Sequence, residues 1–201
     1  AGPGGGAALL AAALSDGSVR VTSADAAGQP RAEAVLDTGS EVHLTAVTFS
    51  ADGGTLASCG GDGTIVLWNR SDWSCRAVLR MPHTRPVYGA LFIHADPLLL
   101  ASWSADGNVA IWGEAAPAAA IDQHMGLARA SEGPSEVPGE NAGCEGVNSQ
   151  FNPLPLAVCA GPEGPNFPVL SCALSADGRR LLIAGGGDGG FLGVPVWLCD
   201  L

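Results

Sequence analysis

The chain has 201 residues, of which 20 are acidic and nine are basic, so its formal net charge at pH 7 is −11. Because binding to phosphate groups needs clustered cations, this balance argues against a nucleic-acid partner and against an anionic membrane surface. The 29 glycines and 14 prolines favour many short elements joined by turns over long helices.

The N-terminal part carries an apolar run over residues 7–14. This run is too short to span a membrane and lacks the basic flank of a signal peptide. The six cysteines form no CxxC pair and no zinc-type spacing. We therefore expect buried thiols in an intracellular protein, cytoplasmic or nuclear, with no metal and no cofactor. The first residue is Ala1 rather than methionine, which is typical of a fragment or a processed product.

The chain repeats itself with a period in the low forties. A partial copy over residues 9–21 is followed by copies that begin at Leu44, Val87 and Val169. The Asp-Gly pair and the tryptophan of the second copy each recur 44 residues later in the third copy. Apolar residues alternate with polar ones between Asp-Gly turns, which predicts antiparallel hairpins. A fourth strand is predicted after each tryptophan, as at residues 75–79. One such sheet cannot bury both faces alone, so the copies are expected to stack.

A period of this length, with a tryptophan closing the third strand, is typical of a propeller blade. These residues resemble the WD40 repeat family, in which His, Ser, Asp and Trp form a hydrogen-bonded tetrad. The resemblance implies an incomplete all-β propeller of about four blades, the first partial. One repeat carries a full tetrad, formed by His83, Ser102, Asp106 and Trp112. The preceding repeat keeps Ser58, Asp62 and Trp68 but has Ser40 in place of the histidine. The last repeat is expected to place Ala184 and Trp197 at the Ser and Trp positions.

The predicted organisation is a partial blade over 1–38 and blades over 39–81, 82–114 and 166–201. Residues 115–165 break the repeat and are rich in Pro, Gly and acidic residues. This composition predicts a flexible insertion. The alternative is a degenerate blade near Asn152 to Cys159.

Candidate catalytic chemistry is sparse. Residues 185–190 satisfy GxGxxG, but the repeat register explains these glycines as a turn, with no helix after it. The four histidines lie at unrelated repeat positions, and His83 is predicted to be a structural core group. We therefore expect no enzyme and no catalytic residues.

Function is expected on loops that a rigid scaffold presents to partners. The resemblance to WD40 repeats implies that Thr45, Tyr88 and Leu170 point towards one face of the propeller. Arg85 and Tyr88 supply the guanidinium and aromatic ring that are enriched at protein interfaces. Trp103 is a further candidate for this surface, with packing between blades as the alternative. The predicted function is a non-catalytic interaction scaffold or adaptor, whose acidic surface favours a basic protein partner. Association through open sheet edges is also expected. The alternatives are a propeller enzyme with a channel active site, or a truncated fragment without independent function.

Overall fold

The computed structural model describes residues 8–25, 27–95, 98–113, 155–160, 167–186 and 196–201. Within these ranges the chain forms 14 strands in four antiparallel sheets and contains no helix. The prediction of an all-β fold built from stacked sheets is confirmed.

Each sheet is a meander in which strand order follows chain order. The first sheet holds β1 (Leu9–Ala13), β2 (Ser18–Ala24) and β3 (Pro30–Asp37). The second holds β4 (Leu44–Phe49), β5 (Thr55–Gly60), β6 (Ile65–Asn69) and β7 (Cys75–Leu79). The third holds β8 (Val87–Ala95), β9 (Leu98–Ser104), β10 (Asn108–Gly113) and β11 (Ala157–Ala160). The fourth holds β12 (Val169–Leu174), β13 (Arg180–Gly185) and β14 (Val196–Asp200).

The Asp-Gly pairs close hairpins, as predicted. Gly63 and Gly107 take φ angles of +90° and +83°, which the absence of a Cβ permits. The preceding aspartates accept backbone hydrogen bonds two residues on, from Thr64 to Asp62 at 3.0 Å and from Asn108 to Asp106 at 2.9 Å. The recurrence of Asp-Gly is therefore explained by the backbone conformation that these turns require.

Strand β11 lies inside the segment that was expected to be an insertion. It pairs with β10 in the register Val109 to Cys159 and Ile111 to Ala157. Residues 157–160 thus supply the fourth strand of the third sheet, within the stretch for which the sequence left both an insertion and a degenerate blade open. Ala157 is buried, and Val158 and Cys159 are half-buried, so this short apolar segment covers the edge of the third sheet. Residues 114–154 and 161–166 lie outside the described residues.

Three apolar clusters hold the sheets face to face. One cluster joins the first and second sheets, the next joins the second and third, and the last joins the third and fourth. The first strands of the last three sheets, β4, β8 and β12, lie side by side in that order. Burial of aliphatic side chains between successive sheets is the main stabilising term of this stack.

The pairing of the fourth sheet corrects one sequence alignment. Val87 pairs with Ser104 and Val169 pairs with Gly185, so Ile183 stands where Ser102 stands in the third sheet. Cys199 lies opposite Leu181, as Trp112 lies opposite Leu100. The expectation that Ala184 and Trp197 fill these places is wrong, because burial of Leu181 and Ile183 against the third sheet fixes the register.

Candidate functional site

Four buried side chains form one hydrogen-bonded network in the third sheet. Trp112 donates from Nε1 to Ser102 Oγ at 2.8 Å, and Ser102 Oγ lies 2.7 Å from His83 Nε2. His83 Nδ1 lies 3.3 Å from Asp106 Oδ2. Every donor in this network has an acceptor when Trp112 donates to Ser102, Ser102 donates to His83 Nε2, and His83 Nδ1 donates to Asp106. The network ties the loop before β8 to the turn between β9 and β10.

The Asp106 carboxylate is held in its charged form. Burial alone would raise its pKa, but hydrogen bonds from His83 and from the backbone N–H groups of Thr84 and Asn108 lower the pKa below the ordinary value of 3.8. The Thr84 contact is 2.9 Å long. Asp106 therefore acts as the acceptor that anchors both the loop and the turn.

A second set of contacts holds the loop over residues 82–87 from two sides. Ser104 Oγ donates to the Arg85 carbonyl at 3.0 Å, and Ala105 N donates to the Pro86 carbonyl at 3.0 Å. Gly63 of the second sheet packs so closely that a Cβ there would lie 2.7 Å from the His83 carbonyl oxygen. Ser104, two residues before Asp106, was not among the predicted site residues, although it belongs to the turn that Asp106 closes.

The second sheet keeps only part of such a network. Trp68 donates from Nε1 to Ser58 Oγ at 3.0 Å, and both residues are buried. Asp62 is exposed and accepts hydrogen bonds from Thr64 instead. Ser40 reaches Asp62 at 3.5 Å. Without a histidine the structure separates Ser58 and Trp68 from Asp62.

Thr45, Tyr88 and Leu170 share one backbone feature. Each is the extra residue at a register shift near the start of its strand, between Leu44 and Ala46, Val87 and Gly89, and Val169 and Ser171 respectively. A bulge of this kind redirects a side chain out of the regular alternation of the strand. Tyr88 is 41% exposed and Leu170 is 50% exposed. The two therefore form exposed apolar positions on neighbouring strands.

The other predicted interface residues differ in accessibility. Arg85 is exposed, whereas Thr45 is half-buried and its hydroxyl bonds the carbonyls of Cys59 and Val87. Trp103 is half-buried, packs in the cluster between the third and fourth sheets and lies against the backbone of Gly89. Within the described part of the chain its Nε1 has no hydrogen-bond partner. The structure thus places Thr45 and Trp103 in contacts between sheets.

Neither a metal-binding cluster nor a membrane-spanning helix occurs in the described residues. No group of three or more His, Cys, Asp or Glu side chains in these ranges could hold a metal ion. The same ranges contain no helix long and apolar enough to cross a membrane.

Sequence comparisons find relatives over about a third of the chain. The family model described as WD domain, G-beta repeat matches residues 34–69. Protein CIA1 of Arabidopsis thaliana is 40% identical over 72 residues, which cover 33% of this chain and 20% of that protein. WD repeat, SAM and U-box domain-containing protein 1 of Danio rerio is 39% identical over 64 residues, which cover 32% of this chain and 13% of that protein. The matches thus span a small part of each relative.

Solved structures resemble nearly the whole chain. Sqt1 of Chaetomium thermophilum, in a complex with the N-terminus of the ribosomal protein L10, gives a TM-score of 0.65 at 19% identity over 96% of this chain. A chain of the mitotic checkpoint complex gives a TM-score of 0.61 at 17% identity, also over 96%. This chain covers 41% and 44% of those two chains. The predicted resemblance to the WD40 family is confirmed: residues 34–69 match a WD40 repeat, and the described sheets have the fold of part of a β-propeller.

Proposed function

We propose that this chain is a non-catalytic protein-interaction module that binds its partner through Arg85, Tyr88 and Leu170. The observation that carries the proposal is the shared bulge, which turns Tyr88 and Leu170 outward on the adjacent strands β8 and β12. Tyrosine and arginine are among the residues most enriched where binding energy concentrates in protein interfaces, and Leu170 adds exposed apolar surface on the neighbouring strand.

Rigidity of the presenting loop supports this assignment. The carbonyls of Arg85 and Pro86 accept hydrogen bonds from the third sheet, and Thr84 N donates to Asp106. The loop is also packed against Gly63. A partner that binds Arg85 and Tyr88 therefore meets a preorganised backbone, and little free energy is lost in ordering it.

Charge indicates the kind of partner. The net charge of −11 attracts basic segments and repels acidic ones, chiefly by steering their encounter with the chain. Sqt1, which shares the fold, was solved with the N-terminus of a ribosomal protein. We infer that a basic peptide segment of another protein is the partner class. The free cysteines support a reducing compartment, cytoplasmic or nuclear.

The test compares matched variants in quantitative affinity capture. Tyr88→Ala and Arg85→Ala should each reduce recovery of the same captured proteins, whereas Leu10→Ala and Arg31→Ala should not. Leu10 is 67% exposed and Arg31 is exposed, and both lie on the first sheet. Far-ultraviolet circular dichroism checks that every variant is folded.

Equal recovery by all folded variants would contradict the proposed surface. Loss of recovery only after deletion of residues 130–146 would instead place binding in that segment. A measured turnover of a small substrate by the wild type, abolished by a single substitution that leaves the chain folded, would favour the propeller-enzyme alternative.

A further inference from the structure

Two cysteines from different sheets face each other. Cys159 lies on β11 of the third sheet and Cys199 lies on β14 of the fourth. Their sulfur atoms are 3.8 Å apart, and both thiols are only partly buried. Both side chains pack against the apolar cluster that joins these sheets. The pair is therefore a contact between sheets that a small oxidant can reach.

Register shows what this pair replaces. Leu79 pairs with Ile65 on the outer strand of the second sheet, and Cys159 pairs with Val109 in the same place on the third. Trp112 and Cys199 likewise occupy equivalent positions, each on the third strand of its own sheet. Leu79 and Trp112 lie together in the cluster between the second and third sheets.

The same arrangement recurs at the first interface, where Leu36 and Trp68 lie in one cluster. Leucine and tryptophan thus occupy these two positions at two of the three interfaces. Only the interface between the third and fourth sheets carries two thiols there. Having two cysteines in place of leucine and tryptophan, this interface loses a large apolar contact. It gains, at one site, the two thiols needed for a covalent bond.

We propose that Cys159 and Cys199 form a reversible redox site, in which a peroxide converts the thiol pair into a disulfide that links the third and fourth sheets. One thiolate first attacks an oxygen of hydrogen peroxide. The S–O bond forms as the O–O bond breaks, which gives a sulfenic acid and hydroxide. The second thiol then attacks the sulfenic sulfur and releases water, so that two thiols and one peroxide give one disulfide and two waters. A dithiol reductant reverses the step by exchange.

The electrostatics of the pair assign the two roles. The hydrogen bond with Cys159 lowers the pKa of Cys199 to about 7, and the same contact raises the pKa of Cys159. Cys199 therefore reacts first with peroxide, and Cys159 resolves the product. Burial raises the pKa of both Cys59 and Cys172 to about 12, so these thiols stay protonated at neutral pH.

Peptide mapping tests the link directly. Cleavage after arginine and glutamate releases Cys159 within residues 146–163 and Cys199 within residues 181–201, each as the sole cysteine of its peptide. After mild peroxide treatment of the folded chain, these two peptides should appear as one species that lacks two hydrogens. Dithiothreitol should separate them, and Tm of the oxidised chain should rise by several degrees above that of the reduced chain.

Matched variants complete the experiment. Cys159→Ser and Cys199→Ser should each abolish the linked species and the rise in Tm, whereas Cys172→Ser should retain both. Mapping of the wild type needs no variant, so misfolding of a variant does not affect it. A wild-type chain whose Cys199 is oxidised to the sulfinic acid without any link, or whose Cys159 is linked to another cysteine, would overturn the proposal.

Discussion

Trp112 and Ser102 lie on adjacent strands of the third sheet and are joined by an indole hydrogen bond of 2.8 Å. Ser102 also bonds His83, so Ser102→Ala leaves two buried polar groups unpaired. The expected loss of unfolding free energy is about 1 to 3 kcal/mol for each unpaired group. Ser58→Ala leaves only the Trp68 indole without its partner, since no histidine bonds Ser58. The loss of unfolding free energy should therefore be smaller. Urea unfolding measures both, and equal losses would contradict the role of His83.

Stability should depend on pH through Asp106. The pKa of this carboxyl is lowered in the folded state, since hydrogen bonds outweigh the opposing effect of burial. A lowered pKa stabilises the fold above the unfolded-state value and loses that contribution as pH falls through the folded value. The difference in urea midpoint between wild type and Asp106→Asn should therefore shrink as pH is taken from neutral to below 3.8. A difference that stays constant over this range would argue against a charged Asp106 in the network.

The tetrad was predicted because the resemblance to WD40 repeats implies it, and because its serine, aspartate and tryptophan recur at a fixed spacing in the preceding repeat. Asp106 and Trp112 stand 44 residues after Asp62 and Trp68, which aligned the second and third repeats. For the second sheet the sequence grouped Ser58, Asp62 and Trp68, whereas the structure joins only Ser58 and Trp68, because Ser40 does not bridge from Asp62 to Ser58 as a histidine would.

The last sheet could not be aligned in the same way. Ile183 carries no hydrogen-bonding group, so only pairing with β12 and burial against the third sheet reveal that it replaces Ser102. The contact between Cys159 and Cys199 was hidden for the same reason, because it depends on where β11 joins the third sheet. Packing of a particular face, rather than residue identity, decides such positions.

Alkylation should distinguish the cysteines by pH. Because the contact with Cys159 lowers the pKa of Cys199 to about 7, its reaction with iodoacetamide should accelerate as pH rises through that value and then level off. Cys59 is fully buried, and burial raises its pKa to about 12, so it should remain unmodified under native conditions. Mass spectrometry of the digested chain gives both rates. Faster labelling of Cys59 than of Cys199 in the folded chain would contradict these assignments.

Gly63 and Gly53 separate two effects of glycine in this fold. Both have positive φ angles, +90° and +70°, so alanine at either position meets a local backbone cost of about 1 to 2 kcal/mol. A Cβ on Gly53 would meet nothing within 4 Å, whereas a Cβ on Gly63 would lie 2.7 Å from the carbonyl oxygen of His83 in the next sheet. Gly63→Ala should therefore lower the free energy of unfolding more than Gly53→Ala, because it forces the second sheet away from the loop that holds Arg85. Urea unfolding of the two variants gives the comparison, and equal losses would show that the close approach of the sheets contributes nothing to stability.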